Sequence, residues 1–265
     1  MNRLITPQAV DVQLEAHGKV PRGAARYARQ KVLAVLDHLT TPVLSVRIKL
    51  TQAPAPAPRP ATARVTVDVN GRPVRAHVAA DTMFEAVDLL RDRLRTRLAR
   101  ARRHDRAARQ GTAHERAAFR AVAERSAHRP HRYHVPAEER RIVRHKSFGL
   151  PRQTAGEALV DLDVLDYDFF LFTEESSGRD SMVFRDPGTG RPRLTATGGP
   201  GYLPRTAPGL TLSTLPAPVL SVGQAAERLE LGGVPFVFFA DTGSGRGCVL
   251  YHRYDGHYGL ITPAA

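Results

Sequence analysis

The second half of this chain contains one pattern twice. Thr154-Ala-Gly-Glu157 opens one segment and Ser221-Val-Gly-Gln224 opens another, 67 residues further on. Each opening predicts a capped helix, followed by an aromatic strand, a glycine turn and a second strand. The duplication predicts two small α+β modules of one fold. The matching positions are Gly156, Ala158, Leu162, Phe169, Phe172, Gly178 and Arg179, which meet Gly223, Ala225, Leu229, Phe236, Phe239, Gly245 and Arg246.

The aromatic strands of the two modules are apolar on both sides. Phe169-Phe-Leu-Phe172 and Phe236-Val-Phe-Phe239 contain no polar residue that would face solvent. Both faces of each strand should therefore be covered. We expect the modules to pair with each other inside one chain, hiding these faces through Phe169, Phe170, Phe172, Phe236, Phe238 and Phe239. Two independent modules that dimerise between molecules are the alternative.

Charge is distributed unevenly along the 265 residues. The formal net charge is +13, but residues 1–104 carry 19 Lys/Arg against 8 Asp/Glu, whereas residues 148–265 carry 9 against 13. The basic half predicts a polyanion partner, with nucleic acid ahead of an anionic membrane surface. The single Cys248, the lack of an apolar signal segment and the lack of a long apolar run predict a cytoplasmic protein without a membrane span.

The N-terminal residues predict the order β-α-β-β-β-α. Asn70-Gly71 marks a two-residue hairpin turn. Placing Val69 opposite Arg72 puts the apolar residues of both strands on one face. A long helix follows from Asp81, with an apolar stripe and many arginines. We expect an α+β fold with a four-stranded sheet and two helices on one face.

The chain divides into four predicted regions. Residues 1–104 form the basic domain, 105–140 a basic flexible linker, 141–200 the first C-terminal repeat and 201–265 the second. The linker has helical character near 115–125. His128, His131 and His134 recur in it at every third position, but no cysteine or carboxylate cluster accompanies them, so no metal site is expected.

Catalytic motifs are not found in the sequence. It has no phosphate-binding glycine loop, no dinucleotide fingerprint and no Gly-x-Ser-x-Gly. Cys248 lies in the apolar run Cys-Val-Leu-Tyr251, which indicates a buried core thiol and not a nucleophile. We therefore expect no enzyme activity, no cofactor and no small-molecule substrate.

Three segments carry a family resemblance. They are Asp81-Thr-Met-Phe-Glu-Ala-Val-Asp-Leu-Leu-Arg-Asp-Arg-Leu94 at the start of the long helix, Ile142-Val-Arg-His-Lys-Ser-Phe148, and Tyr251-His-Arg-Tyr-Asp-Gly-His-Tyr-Gly-Leu-Ile-Thr-Pro263. The first resembles the S30AE, or protein-Y, domain of the ribosome hibernation promoting factor family. The others resemble the opening strand and the closing hairpin of the long form's C-terminal domain. Two such domains are similar to the dormancy- or hypoxia-linked factors of the actinobacterial type.

The two repeats depart from that pattern in opposite ways. The first has the opening strand but Asp186-Pro-Gly-Thr-Gly-Arg-Pro192 in place of the closing motif, and the second has the closing hairpin without the opening strand. We expect two incomplete, complementary copies. Because closed pairing leaves no face for a second molecule, this predicts silenced single 70S ribosomes without 100S dimers.

The resemblance implies a ribosome-binding translation inhibitor. It implies that the basic domain lies in the mRNA and tRNA channel of the small subunit, near the decoding centre, on 16S rRNA, and stabilises idle 70S ribosomes in dormancy or stress. A factor that dimerises ribosomes, an RNA-binding regulator acting off the ribosome and an enzyme acting on RNA are the alternatives. The expected rRNA contacts are Arg22, Arg26, Arg29, Lys31, Arg47, Lys49, Arg75, His77, Arg93, Arg97, Arg100 and Arg103.

Overall fold

The computed structural model describes residues 10–54, 59–110, 135–198, 209–213 and 216–264. The chain divides into two compact units, one built on residues up to Asp105 and one that contains both repeats. The helix predicted near 115–125 and the histidines His128, His131 and His134 lie outside the described residues.

The N-terminal unit has the predicted β-α-β-β-β-α order. Its sheet has the order β1-β2-β3-β4, with β1 parallel to β2 and the other pairs antiparallel. The second helix continues beyond the boundary expected at residue 104. The elements are β1 (Asp11–Gly18), α1 (Ala24–Leu36), β2 (Val43–Gln52), β3 (Ala61–Val69), β4 (Arg72–Ala80) and α2 (Met83–Gln110).

The β3–β4 hairpin has the register that the sequence predicts. Val69 lies opposite Arg72, and the pairing continues through Val67 and Val74. Asn70 and Gly71 both have positive φ, 52° and 83°, as a two-residue turn that matches the strand twist requires. The alternation therefore places the buried residues of the hairpin on one face, with the exception of Ala79 near the end of β4.

The apolar face of this sheet lies under the two helices. Ile48 and Leu50 are fully buried on the central strand β2. The helices contribute apolar stripes at intervals of three and four residues, as an amphipathic helix on a sheet does. Neither of these two helices covers the opposite face of the sheet. The helix residues in the core are Ala24, Ala28, Val32, Leu36, Met83, Val87, Leu90, Leu94 and Leu98.

The C-terminal unit contains two five-stranded sheets, each with one helix. Their orders are β10-β9-β8-β7-β6 and β11-β12-β13-β14-β5. A short 3-10 helix, Ala137–Glu139, precedes them. The first repeat comprises β5 (Ile142–Phe148), β6 (Arg152–Gln153), α3 (Ala155–Val164), β7 (Phe169–Glu174), β8 (Asp180–Arg185) and β9 (Pro192–Ala196). The second comprises β10 (Thr211–Leu212), β11 (Val219–Leu220), α4 (Val222–Gly232), β12 (Phe236–Asp241), β13 (Gly247–His252) and β14 (Tyr258–Pro263).

The opening strands of the two repeats are exchanged between the sheets. Strand β5 runs parallel to β14 of the second repeat, and the two-residue β10 runs parallel to β9 of the first. The expectation of two incomplete copies was therefore wrong. Each repeat has an opening and a closing strand, because β9 pairs with β8 through residues that differ from the closing motif.

Both helices of the repeats begin at the capping boxes that the sequence predicts. The Thr154 hydroxyl accepts a hydrogen bond from the Glu157 amide at 3.3 Å, and the Glu157 carboxylate accepts one from the Thr154 amide at 2.9 Å. Ser221 and Gln224 make the same reciprocal pair at 3.2 and 2.9 Å. These bonds satisfy amides that no helical carbonyl can reach.

The exchanged strand β5 is attached to the second repeat by a partly buried side-chain cluster. Arg140, just before β5, and the Tyr258 hydroxyl both donate to the carboxylate of Glu230 on α4. Burial alone would raise the pKa of the Glu230 carboxyl, but the bonds from Tyr258 and Arg140 outweigh it and hold that pKa below its usual value. Burial, together with the Glu230 carboxylate, raises the pKa of Tyr258 to about 12.

We expect Glu230→Gln to reduce the acid sensitivity of the C-terminal unit. A carboxyl whose pKa is lower in the folded chain stabilises it fully above the unfolded pKa, about 4.3, and this contribution is lost as pH falls through the folded pKa. Urea unfolding between pH 3 and pH 6 should therefore show a shallower decline for the variant. Glu227→Gln, on the exposed side of the same helix, is the control. Parallel declines for the wild type and Glu230→Gln would contradict this role.

Candidate nucleic-acid interface

The open face of the N-terminal sheet carries two rows of basic side chains. Because side chains alternate along a strand, the neighbours of buried Val46, Ile48 and Leu50 point away from the helices. These neighbours are Arg47, which is exposed, and Lys49, which is half-buried. The register aligns Arg47 with Thr66 and Arg75 in one row, and Lys49 with Arg64 and His77 in the other.

The edge strand β1 holds the basic side chains of β2 in place. Gln13 lies opposite Arg47 and accepts a hydrogen bond from its Nε at 3.2 Å. Glu15 lies opposite Lys49, and their charged groups are 3.7 Å apart. Both pairs are solvent-accessible, so they contribute little stability and leave the cations available to a stronger anion.

Arg64 belongs to this face although it was not among the predicted contacts. It lies between Lys49 and His77 in the second row. The signal was in the sequence, because Arg64 occupies a polar position of the alternating strand Ala63-Arg-Val65. The cross-strand position opposite Lys49 identifies it.

The helix side of the domain presents a second group of cations. Arg22, Arg26 and Arg29 are exposed at the start and along the outer face of α1. Lys31 differs from them, since its ammonium group lies 2.9 Å from the Asp88 carboxylate and 4.8 Å from the Tyr27 ring centroid. Hydrogen bonds with Tyr27 and Asp88 raise the pKa of Lys31. Lys31 therefore links α1 to α2.

The predicted arginines of α2 differ in accessibility. Arg97 is 3% exposed, Arg93 and Arg100 are half-buried, and Arg103 is exposed. A groove of about 460 Å³ between α1 and α2 is lined by basic residues that were not among the predicted contacts. The sequence signal for them was their helical spacing, which places these residues along the sides of α1 and α2 that face each other. They are His38, Arg91, Arg95 and Arg102, above an apolar floor of Ala34, Val35, Leu39, Leu98 and Ala99.

The twelve predicted contacts thus do not form one surface. Arg47, Lys49, Arg75 and His77 lie on the open sheet face. The others lie on the helices that cover the opposite face, or, for Arg22, in the turn just before α1. The domain consequently has basic groups on both sides of its sheet. A ligand that contacts all of them has to surround the domain.

Within the described ranges, no group of three His, Cys, Asp or Glu side chains is placed to hold a metal ion. Cys248 is 2% exposed, and burial raises the pKa of its thiol to about 11, so it is protonated at neutral pH. No helix in the described part of the chain has the length and apolar character that a membrane crossing requires.

The two repeats meet through one side of each aromatic strand. Phe169 contacts Phe236 and Tyr251 at ring-centroid distances of 4.9 and 5.7 Å, and Phe184 contacts Phe236 at 5.7 Å. Phe238 is buried in the same cluster, which also contains Leu150, Leu171, Met182, Ala217, Val249 and Ile261.

The other predicted interface residues lie elsewhere. Phe172 and Phe239 are fully buried in the separate cores of the first and second repeats, and Phe170 packs against the first of these cores. The reason is the alternation of side chains along a strand, which directs Phe169 and Leu171 to one face and Phe170 and Phe172 to the other. Both faces of each aromatic strand are covered, as expected.

The fold and its charged faces define a class of protein, one with a basic β-α-β-β-β-α domain and a duplicated α+β module. The family model for the sigma 54 modulation protein / S30EA ribosomal protein matches residues 12–106. The model for the C terminus of these proteins matches twice, at residues 137–190 and 213–260. The chain belongs to the S30EA ribosomal protein family, with one N-terminal domain and two copies of the C-terminal one.

Curated relatives include the protein named dormancy associated translation inhibitor from two Mycobacterium tuberculosis strains, CDC 1551 / Oshkosh and ATCC 25618 / H37Rv. Each is 38% identical over 142 residues, which cover 51% of this chain and 52% of the relative. The match thus spans about half the length of these relatives.

Similar solved structures include the N-terminal domain of Thermus thermophilus protein Y, at 22% identity and a TM-score of 0.28, and a ribosomal subunit interface protein from Coxiella burnetii, at 19% and 0.29. The matches cover 34% and 35% of this chain, and 98% of each of the other chains.

Proposed function

We propose that this chain is a ribosome hibernation factor. Its N-terminal domain binds 16S rRNA of the small subunit in the mRNA and tRNA channel near the decoding centre, and so inhibits translation in dormancy or stress. The observation that carries the proposal is family membership across both parts of the chain. The name of the mycobacterial relatives, dormancy associated translation inhibitor, agrees with it.

The charges of the N-terminal domain support RNA as the ligand. Structured RNA is bound mainly through phosphates and shape, and arginine suits phosphate because its planar guanidinium donates two parallel hydrogen bonds. Arg47 and Arg75 share one row of the open face, and Arg22, Arg26 and Arg29 follow α1. Basic groups on both sides of the sheet suit a site enclosed by RNA.

We further propose that the C-terminal unit closes on itself and keeps silenced ribosomes single. The contacts of Phe169 with Phe236 and the exchange of β5 and β10 support this, because both occupy surfaces through which a lone repeat would recruit another molecule. The same factor would then act on 70S ribosomes without joining them into 100S particles.

The direct test is binding of the full chain to purified ribosomal particles, combined with cell-free translation. The factor should pellet with 30S and 70S particles, not with 50S, and should inhibit translation in proportion to its occupancy. Binding to naked RNA without pelleting on ribosomes would favour a regulator acting off the ribosome. Loss of RNA integrity would instead reveal an enzyme.

We expect ribosome binding to weaken steeply as salt rises. Each arginine or lysine that neutralises a phosphate releases a counterion, so the logarithm of the binding constant falls linearly with the logarithm of salt concentration. Replacing three contacting arginines by glutamine should reduce the magnitude of this slope by about 3. Filter binding to 30S subunits between 50 and 300 mM KCl measures it. A slope near zero for the wild type would exclude a phosphate-dominated site.

A further inference from the structure

Two equivalent positions of the repeats face each other with different residues. Asp180 begins β8 and Gly247 begins β13, and each follows a Ser-Gly-Arg turn, 67 residues apart. A Cβ atom added to Gly247 would lie 2.7 Å from the Cβ atom of Asp180, closer than two such atoms approach in proteins. The backbones therefore approach so closely that only one of the two positions has room for a side chain.

The carboxylate of Asp180 finds most of its partners in the other repeat. The Gly247 amide donates to Oδ2 at 2.8 Å. Arg246 donates from Nε to Oδ2 at 2.7 Å and from Nη2 to Oδ1 at 3.2 Å. Thr173 of the same repeat adds a longer contact at 3.5 Å. Asp180 is 5% exposed, and a buried carboxylate is costly unless it is paired in this way.

The arginines beside these positions are equivalent as well. Arg179 donates from Nη1 to the Thr197 carbonyl at 3.3 Å, and Arg246 donates from Nη1 to the Ala264 carbonyl at 3.4 Å. These acceptors are again 67 residues apart. Arg246 in addition binds the carboxylate across the interface, and no carboxylate is present at position 247 for Arg179.

The aromatic packing follows the same asymmetry. Phe238 of the second repeat corresponds to Leu171 of the first, and both are buried in the shared cluster. The Phe238 ring lies within 2.9 Å of where a Gly247 Cβ would be. The larger ring thus fills space that only a glycine leaves open.

We propose that Asp180 and Gly247 determine which repeats can pair. The first repeat fits the second better than either repeat fits a copy of itself. Two first repeats would bring two Asp180 Cβ atoms into collision and two carboxylates together. Two second repeats would leave two Arg246 side chains without the carboxylate that binds Arg246 in the native pair.

This selectivity rests on the proposed self-pairing of the C-terminal unit, and it gives a physical reason why the first repeat pairs with the second. The contact is complementary, not self-complementary, so equal repeats of two molecules dock less favourably than the native pair. Neither Asp180 nor Gly247 has a positive φ, so either position accepts either residue without backbone strain.

The test is to transpose the two residues in the full chain. Asp180→Gly alone removes the carboxylate, and Gly247→Asp alone inserts a side chain where none fits. Each should lower the unfolding temperature of the C-terminal unit by roughly 5–10 °C. The double variant Asp180→Gly/Gly247→Asp should recover part of the summed loss, because Arg179 then binds the carboxylate at position 247, while the Phe238 ring still crowds the added side chain. Additive losses would overturn the proposal.

Milder variants keep the test decisive if a single variant does not fold. Asp180→Asn retains the size of the side chain but removes the charge, and Gly247→Ala adds only a methyl group, so both should be less stable than wild type. A double variant that stays insoluble, or a stable Gly247→Ala, would contradict the proposal.

The outcome is independent of ribosome binding. Analytical ultracentrifugation should give monomers for the wild type and the transposed variant, and both should pellet with ribosomes equally, since the N-terminal domain is unchanged. Recovery of stability without ribosome binding by the wild type would refute the proposed function and leave the pairing rule intact.

Discussion

Reversal of three arginines at the start of α1 and along it, Arg22→Glu/Arg26→Glu/Arg29→Glu, is expected to weaken binding to 30S and 70S particles about a thousandfold. Each charge-assisted hydrogen bond to phosphate contributes about 1.5 kcal/mol, and the loss of three amounts to about 4.5 kcal/mol, which is a thousandfold or slightly more in the dissociation constant. All three side chains are exposed, so the domain should stay folded. Fluorescence anisotropy of labelled factor against purified subunits measures the dissociation constant.

A second triple on the opposite side tests whether the site is a channel. Arg47→Glu/Lys49→Glu/Arg75→Glu changes the open sheet face, away from the helix layer. A domain enclosed between RNA walls loses affinity when either side is reversed. A domain that contacts RNA through one surface only loses affinity when the charges of that surface are reversed, and not when those of the other surface are. We expect both triples to bind at least a hundredfold more weakly than the wild type, and an effect confined to one triple would reject the channel.

A matched control distinguishes the effect of the proposed RNA contacts from the effect of total net charge. Arg152→Glu/Arg191→Glu/Arg228→Glu makes the same change in net charge at three exposed positions of the C-terminal unit. This triple should retain most of the affinity, because electrostatic attraction between groups far apart is screened at physiological salt. Equal losses in all three triples would show that net charge alone governs binding.

The N-terminal fold was predictable because its signals are local. Alternation over Ala63–Val69 and the Asn70-Gly71 turn determine the hairpin register, and the structure has that register residue by residue. The same alternation places Arg47 and Lys49 on the open face. The accessibility of Arg97 was not predictable, since α2 carries arginines on several sides and its burial depends on tertiary packing.

The arrangement of the repeats was only partly predictable. Capping boxes and glycine turns identified the modules, because these signals lie within a few residues. The exchange of β5 could not be inferred, since Ile142 pairs with Tyr258 across more than a hundred residues. In addition, no sequence pattern in a strand indicates which edge strand pairs with it in parallel. The continuous run Phe169–Phe172 likewise shows no polar face, so only geometry assigns its residues to the interface or the core.

A sucrose gradient of ribosomes with excess factor should show the factor in the 70S peak and no 100S peak. A face that is already covered cannot bind again without first opening. Opening this unit exposes the shared cluster around Phe169 and Phe236, removes the parallel pairing of β5 with β14 and breaks the Asp180–Arg246 ion pair. A second molecule would have to compensate all three losses at once.

Immunoblotting of the gradient fractions controls for occupancy, because a missing 100S peak is informative only when the 70S peak carries the factor.

Pairing inside one chain also benefits from a high effective concentration, in the millimolar range for short flexible connections, which exceeds any plausible concentration of free factor. Pairing of repeats between two molecules should therefore be less populated than pairing within one chain, even where both arrangements are geometrically possible. A 100S peak that grows with added factor would contradict self-pairing, and its persistence in the transposed Asp180→Gly/Gly247→Asp variant would place the ribosome–ribosome contact outside the interface between the repeats.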